Sequence, residues 1–147
     1  MTLSQKIYSE VSSEAPSCLM KPDREYSVHE LVRLLMHPRG IEHAIKSGYP
    51  SMGLLEEYED DLEYEPVRLL HDDEQDSIGL SGGSHLFAGG GLLSIDVAGS
   101  DNGVTTVVLL HGVKATVWAS KYATVKVYAD PSCSVEVVNE DDTALIL

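Results

Sequence analysis

Apolar residues follow two different periods, one in the first part of the chain and another in the rest. In the first part they recur at helical spacing, because Leu3, Ile7 and Val11 are four residues apart and share one helix face. Later they alternate with polar residues, as they do in strands with one buried face. The pattern therefore predicts a helical head or cap over residues 1–65 and a strand-rich part over residues 66–147.

The helical head contains start and stop signals for three further short helices. In the sequence SVHE, Ser27 and Glu30 form a capping box, which satisfies backbone N–H groups at a helix start. The helix that begins after Ser27 should end before Pro38, because proline lacks an N–H. Pro38 also suits the first turn of the next helix. Gly48 suits the left-handed position after that helix, and Ser51 suits the cap of a third. Acidic residues near the end of the third helix oppose its dipole, so we expect it to be short or frayed.

The strand-rich part repeats one strand and one turn about every ten residues. Turn-forming sequences such as GGG, SDNG and ADPS separate the strands. An apolar residue from each unit marks the repeat: Val67, Ile78, Phe87, Val97, Val107, Val117, Val125, Val135 and Leu145. Two architectures fit, a β-sandwich and a β-solenoid whose strands wind around an axis and stack in parallel. Small, regular apolar residues suit a narrow core, so we predict an α+β fold with a compact β-solenoid.

Strand alternation divides the later apolar residues into two sets that face opposite ways. The set expected to point inward is Val97, Val107, Val117, Val127 and Val137. The set expected to point outward forms an apolar ladder: Ala98, Val108, Trp118, Tyr128 and Val138. Either the helical head packs on part of this ladder, or the ladder is a surface for another copy or another protein. Trp118 and Tyr128 are the candidate interface residues of the ladder.

The last strand, TALIL, follows the acidic run 140–142. Alternation there places Leu145 and Leu147 on the inward side. A solenoid leaves the backbone groups of its terminal strand unpaired. This strand is either an edge guarded by the acidic run, or it meets its own copy in a two-fold dimer. We expect a homodimer or higher oligomer, with Ile146 and Leu147 as candidate interface residues, and a further protein partner could bind the helical head.

Composition argues against several classes of partner. With 24 acidic and 10 basic residues the formal net charge is −14, so nucleic acids and anionic lipids are repelled. Lys6, Glu10 and Glu14 interrupt the start of the chain, so no signal peptide is expected. Cys18 and Cys133 lack metal-binding or redox spacing, which predicts free thiols in a reducing compartment. We expect a cytoplasmic protein that binds neither nucleic acid nor membrane.

The sequence contains no recognisable catalytic motif, and we assign no catalytic, cofactor-binding or metal-binding residue. The leading hypothesis is a non-enzymatic assembly or adaptor protein. The alternative is a small carbohydrate-binding or carbohydrate-modifying β-helix, in which Trp118 and Tyr128 stack on sugar rings. The carboxylates that could assist there are Asp96, Asp130 and Glu136. A third hypothesis is a metal-dependent β-fold, which requires His85 and His111 to meet across stacked strands.

Two segments carry a resemblance to known proteins: GIEHAIKSGYPS at 40–51 and KATVWASKYATVKVYADPSCSVEVV at 114–138. A short helical head followed by brief Val-rich strands resembles a group of small, uncharacterised bacterial proteins associated with phages or other mobile elements. The strands are also similar to those of bactofilins, which are bacterial β-solenoids that polymerise end to end. The second resemblance implies association through solenoid ends, although bactofilins lack a helical head of this size.

Overall fold

The computed structural model describes residues 26–48, 50–99, 103–139 and 144–146. Helix α1 spans Val28–Leu35, α2 spans Pro38–Ser47 and α3 spans Met52–Glu57, and a 3₁₀ helix, Glu59–Leu62, follows. The strands are β1 (Val67–Leu69), β2 (Gln75–Leu80), β3 (Gly83–Ala88), β4 (Leu92–Val97), β5 (Thr105–Leu110), β6 (Lys114–Ala119), β7 (Thr124–Ala129), β8 (Ser134–Asn139) and β9 (Leu145–Ile146). The predicted helix with Leu3, Ile7 and Val11 lies outside the described residues.

The helix boundaries follow the predicted capping signals. Ser27 and Glu30 form both hydrogen bonds of the capping box at the start of α1, each 3.2 Å long. Pro38 occupies the first turn of α2, and Gly48 ends that helix in the left-handed conformation with φ of 66°. Ser51 caps α3, which ends after six residues and continues as the 3₁₀ helix, so the third helix is short as expected.

The strands form a β-solenoid of about four turns, as predicted. Sheet A contains β1, β3, β5, β7 and β9, and sheet B contains β2, β4, β6 and β8, with every described pairing parallel. Each strand therefore pairs with the next strand but one. The ten-residue unit is half a coil, and two units, one per sheet, complete a turn.

The solenoid interior is formed by the residues that alternation placed inward. Val97, Val107 and Val117 are at most 1% exposed and belong to one cluster between the two sheets. Val127 and Val137 pack against the same cluster and are partly buried. The interior is narrow, because mostly valine, alanine and leucine stack on equivalent residues of the coils above and below.

The helical head packs on the outer face of sheet A. A second apolar cluster joins residues of the helices to outward residues of β3 and β5. Its buried members are Val32, Ile41, Ala44, Leu55, Leu62, Leu69, Leu86, Ala88, Val108 and Leu110. Helix α2 contacts both β5 and β7. Sheet A is thus covered on both faces, which explains the continuous burial along Val107–Leu110.

Candidate interaction surface

The predicted apolar ladder is divided between two faces of the solenoid. Trp118 lies on β6 in sheet B, whereas Tyr128 lies on β7 in sheet A. The register partner of Trp118 is Asp96, not Ala98, and Tyr128 aligns with Val108. The prediction of a single row was wrong, because consecutive ten-residue units belong to opposite sheets.

Tyr128 contributes to the contact between head and solenoid. Its side chain is partly buried against the apolar cluster formed with the helices. The Lys126 ammonium lies 5.1 Å from the centroid of the Tyr128 ring, within the range of a cation–π interaction. The explanation that the head packs on part of the ladder is therefore correct for sheet A, and Tyr128 does not lie beside Trp118.

Trp118 occupies the outer face of sheet B, on which no described helix packs. It is partly exposed and lies in register between Asp96 and Val138. A neighbouring outward column contains Ser77, Ser94, Thr116 and Glu136. This face is a regular parallel sheet surface with one aromatic ring on it.

The three carboxylates considered for sugar chemistry do not converge. Asp96 and Glu136 lie on β4 and β8, which are separated by β6. Asp130 is 5% exposed and belongs to the turn after β7, where it accepts backbone hydrogen bonds. Any sugar-binding role therefore rests on Trp118 and the groups directly beside it.

At the C-terminal end of the solenoid, side chains are exposed at positions that are interior in the earlier coils. Ala115 is 6% exposed and Val117 is fully buried, but their register partners Val135 and Val137 on β8 are more accessible, with Val135 39% exposed. In sheet B, β8 is the last described strand, so its outer backbone edge is unpaired among the described strands. We call this surface the open end. It consists of Val127, Ala129, Cys133, Val135, Val137 and Ile146.

Ile146 belongs to the open end, and the predicted orientation of its strand was wrong. Ile146 aligns with the buried residue Val125 and packs against the interior. Leu145 aligns with Thr124, points outward and is 55% exposed. The β7–β9 register is offset by 21 residues, whereas β5–β7 is offset by 20, and one additional residue reverses the faces. Leu147 lies outside the described residues.

The turn that leads into β8 is held by Asp130. Its Oδ2 accepts the His111 N–H at 2.8 Å, and its Oδ1 accepts the Ser132 N–H at 2.8 Å and the Ser132 hydroxyl. Burial acts to raise the pKa of Asp130, but these hydrogen bonds outweigh it and hold the pKa below the usual value. Burial raises the pKa of the neighbouring Cys133 thiol, and the Asp130 carboxylate raises it further. Cys133 is therefore a neutral thiol at physiological pH.

The N-terminal end of the solenoid is polar at positions where the later coils are apolar. Arg68 aligns with the inward residue Phe87, and Asp76 aligns with the inward residue Leu93. Their side chains form an ion pair across the first coil. His85 aligns with the buried residue Val107. The alternation Asp76, Ile78, Leu80 in β2 was the available sequence signal for an inward carboxylate.

A cavity of ≈ 630 Å³ opens at this N-terminal end. Arg68 and His85 line it together with carboxylates from the 3₁₀ helix and the following turn, including Glu59, Glu63 and Glu65. Glu65 also pairs with His29 of α1 at 3.0 Å, which connects the rim of the cavity to the helical head. The N-terminal end thus presents charged groups, in contrast to the apolar open end.

His85 and His111, the pair considered for metal binding, do not meet. The His85 Nε2 lies 3.0 Å from the Gly82 carbonyl oxygen, near the start of β3. His111 follows β5, and its Nε2 lies 2.5 Å from the Pro50 carbonyl oxygen in the head. Within residues 26–48, 50–99, 103–139 and 144–146, no group of three or more His, Cys, Asp or Glu side chains could hold a metal ion.

Comparisons with known proteins leave the fold as the main guide to function. Among the described helices, none is both long enough and apolar enough to span a membrane. No family model, curated protein or solved structure matches the chain, so the resemblances to bactofilins and to mobile-element proteins remain predictions.

Proposed function

We propose that this protein is a non-enzymatic assembly protein that associates with a second copy of itself through the open end of its solenoid. The observation that carries the proposal is that Val135 is 39% exposed, whereas Ala115, its register partner in the coil before it, is 6% exposed. Interior residues of the earlier coils are thus shielded from water by the coil that stacks on them. Among the described strands, no further coil stacks on the last one.

Two properties of the open end support protein association. Its side chains are apolar, so covering them removes apolar surface from water. Its strand β8 has six residues with an unpaired edge among the described strands, and such an edge accepts a further strand through backbone hydrogen bonds. Neither property requires a ligand or a reaction. The described helices of the head pack on the outer face of sheet A, and none of them belongs to the apolar cluster of this end.

The proposed setting is cytoplasmic and reducing. Cys133 is a free thiol whose raised pKa favours the neutral form. A neutral thiol in the open end behaves as a small apolar residue and resists oxidation better than a thiolate. The support for a reducing compartment is that Cys133 is free, since thiols remain unpaired where they stay reduced.

Aspartate substitutions at the open end test the proposal. Ile146→Asp and, separately, Val135→Asp place a charge where two ends would meet, so we expect both variants to be monomeric by light scattering when the wild type is dimeric or larger. Leu145→Asp is the matched control, because Leu145 is on the same strand as Ile146 but faces outward. Circular dichroism must show that the variants are folded. A wild type that is monomeric up to high micromolar concentration, or folded variants that keep the wild-type mass, would count against the proposal.

A second candidate function, carbohydrate binding, is favoured by the position of Trp118. Its ring is partly exposed on the outer face of sheet B, on which no described helix packs, and Asp96 is in the adjacent register position. An aromatic ring beside a polar group is a suitable platform for one sugar ring. Tyr128 cannot share this role, since it lies on sheet A against the helices.

A glycan array with wild type and Trp118→Ala tests this second function. A specific glycan signal that is lost in Trp118→Ala, and retained in the control Tyr122→Ala, supports it. Tyr122 is a suitable control because it is 77% exposed in the turn after β6. The absence of any glycan signal from a folded wild-type sample removes this candidate.

A further inference from the structure

We infer that two copies meet through their open ends across a two-fold axis, with β8 of each copy paired antiparallel to β8 of the other. This inference rests on the proposed function and specifies the orientation of the partner. It follows from the different chemistry of the two solenoid ends, from the lengths of the strand edges and from the inward–outward alternation of β8.

A head-to-tail stack is disfavoured by the polar N-terminal end. It would bring Val135 and Val137 against Arg68 and Asp76, whose ion pair occupies inward positions. Water would be removed from these charges without a new polar partner, which costs free energy. The acidic residues that line the N-terminal cavity, such as Glu59, would also lie against an apolar surface, which disfavours their charged form. Two open ends, in contrast, bring apolar side chains against apolar side chains.

The strand edges decide which two-fold arrangement is best. A two-fold axis perpendicular to the sheets aligns β8 with its own copy, six residues against six. An axis along the strands would instead set β8 against β9, of which two residues form a strand. The first arrangement allows more backbone hydrogen bonds along the shared edge, and it makes the contact self-complementary.

Alternation along β8 limits its register against the copy. The interior continues across the contact only if Val135 and Val137 face inward in both copies, so residues of the same face must lie opposite each other. Two kinds of alignment pair most of β8. Glu136 then lies either directly opposite Glu136 of the other copy, with the Cβ atoms about 5 Å apart, or at the diagonal position, about 7–8 Å away. In both cases the two Glu136 residues lie close together on the outer face of sheet B.

The contact is small, so the association should be weak. A strand of six residues is roughly 20 Å long, and the two sheets are about 10 Å apart, which gives an area below that of standard interfaces. We expect dissociation constants in the micromolar range, so the experiment must be performed at high protein concentration.

Cysteine cross-linking along one outward column of sheet B tests the geometry. Ser77 and Glu136 are exposed and lie at opposite ends of the column that also contains Ser94 and Thr116. Glu136→Cys and Ser77→Cys are introduced separately into a chain with Cys18→Ser and Cys133→Ala, after that background is shown to keep the wild-type mass. Each variant alone, and a mixture of the two, is treated with a short bismaleimide near neutral pH.

The two-fold contact predicts that Glu136→Cys forms covalent dimers alone, that Ser77→Cys forms none, and that the mixture yields no product linking the two variants. Products that link Ser77→Cys to Glu136→Cys show a head-to-tail stack and overturn this inference, while the proposed assembly function stands. A dimer by mass without Glu136→Cys cross-links also overturns the two-fold β8 contact alone. A monomer by mass without any cross-link overturns both the inference and the proposed function.

Discussion

The Nε2 atom of His111 lies 2.5 Å from the carbonyl oxygen of Pro50 and connects the solenoid to the helical head. The imidazole donates this hydrogen bond, since a carbonyl oxygen can only accept. The backbone N–H of His111 donates in turn to Asp130, one coil further along. His111 has a positive φ of 64°, which directs its side chain out of the turn and toward the head. One residue thus joins the loop between α2 and α3 to two stacked turns.

Replacing His111 by asparagine should loosen the head without unfolding the solenoid. Asparagine tolerates a positive φ but is too short to reach Pro50, so a single hydrogen bond worth about 1 kcal/mol is lost. Hydrogen exchange measured by mass spectrometry should become faster in peptides from α2 and α3, while peptides from β4 and β6 keep their rates. The control is His85→Asn, whose imidazole contacts Gly82 within its own coil. Equal exchange in the head of wild type and His111→Asn would contradict the role of this bond.

Asp130 should stabilise the fold above about pH 4 and lose that effect in acid. Its folded-state pKa lies below the usual value of 3.8, so the unfolded chain binds the proton first as the pH falls. The stabilisation is therefore present above pH 3.8 and disappears as the pH falls through the lower folded-state value. Asp130→Ala should cost on the order of 2 kcal/mol at pH 7, because the His111 and Ser132 N–H groups lose their acceptor.

Urea unfolding of the wild type and Asp130→Ala at pH 7 and pH 3 checks this prediction. The difference in unfolding free energy between the two proteins should shrink at pH 3. The control is Asp72→Ala, since Asp72 is an exposed carboxylate in the turn after β1 and has no positive φ. A constant difference at both pH values would show that Asp130 acts through packing and not through its charge.

Two glycines of the helical head should respond in opposite ways to alanine. A Cβ at Gly40 would lie 2.2 Å from the Leu34 carbonyl oxygen of α1, so α1 and α2 would have to separate. A Cβ at Gly53 in α3 meets no atom within 4 Å. We expect Gly40→Ala to destabilise the protein by about 1–3 kcal/mol and Gly53→Ala to stabilise it by up to about 1 kcal/mol. Thermal unfolding by circular dichroism measures both, and equal shifts of the two variants would contradict the close contact of α1 and α2.

For β4 to β8 the sequence was sufficient to predict which residues face the interior of the solenoid, but it did not predict the number of strands per coil. Alternation correctly placed Val97, Val107 and Val117 inside, because burial of one strand face depends on local spacing alone. The same ten-residue period arises whether a strand pairs with its neighbour or with the next strand but one. For this reason Trp118 and Tyr128 were expected in one row, although they lie on different sheets.

The ends of the solenoid were harder to predict than its middle. The orientation of Ile146 depends on the length of a turn, which alternation within the strand does not reveal. The Arg68–Asp76 ion pair links strands of different sheets, so it could be recognised only once both sheets were known. The open end itself was anticipated, since any solenoid must finish with an unpaired strand or a cap.

Association should become stronger when salt is added. Each copy has a formal net charge of −14, and the acidic run 140–142, which lies outside the described residues, follows β8 directly in the sequence. Two copies therefore repel each other, and this repulsion is screened within about 10 Å at 0.1 M ionic strength. The dissociation constant from analytical ultracentrifugation should fall several-fold between 0.02 and 0.5 M NaCl. Replacing residues 140–142 by their amides should lower the constant at low salt and flatten its salt dependence. A constant that rises with salt would indicate a contact based on opposite charges.

The charged pair at the N-terminal end should stabilise the protein only while both partners are present. Asp76→Leu alone leaves Arg68 without its partner inside the first coil, and Arg68→Met alone leaves the Asp76 carboxylate unpaired. We expect each single variant to lose about 1–2 kcal/mol of stability, since both side chains retain some exposure to water. The double variant should be at least as stable as either single variant, because leucine at position 76 matches its register partner Leu93.

The double variant also tests whether the ion pair limits the proposed assembly to two copies. If the ion pair prevents stacking on the N-terminal end, its replacement by apolar residues creates a second adhesive surface. Light scattering should then show species larger than those of the wild type, and their mass should grow with concentration. Adding Val135→Asp to the double variant should abolish these species, because a head-to-tail contact still needs the open end. A double variant that is stable and keeps the wild-type mass would contradict the idea that the ion pair prevents stacking on this end.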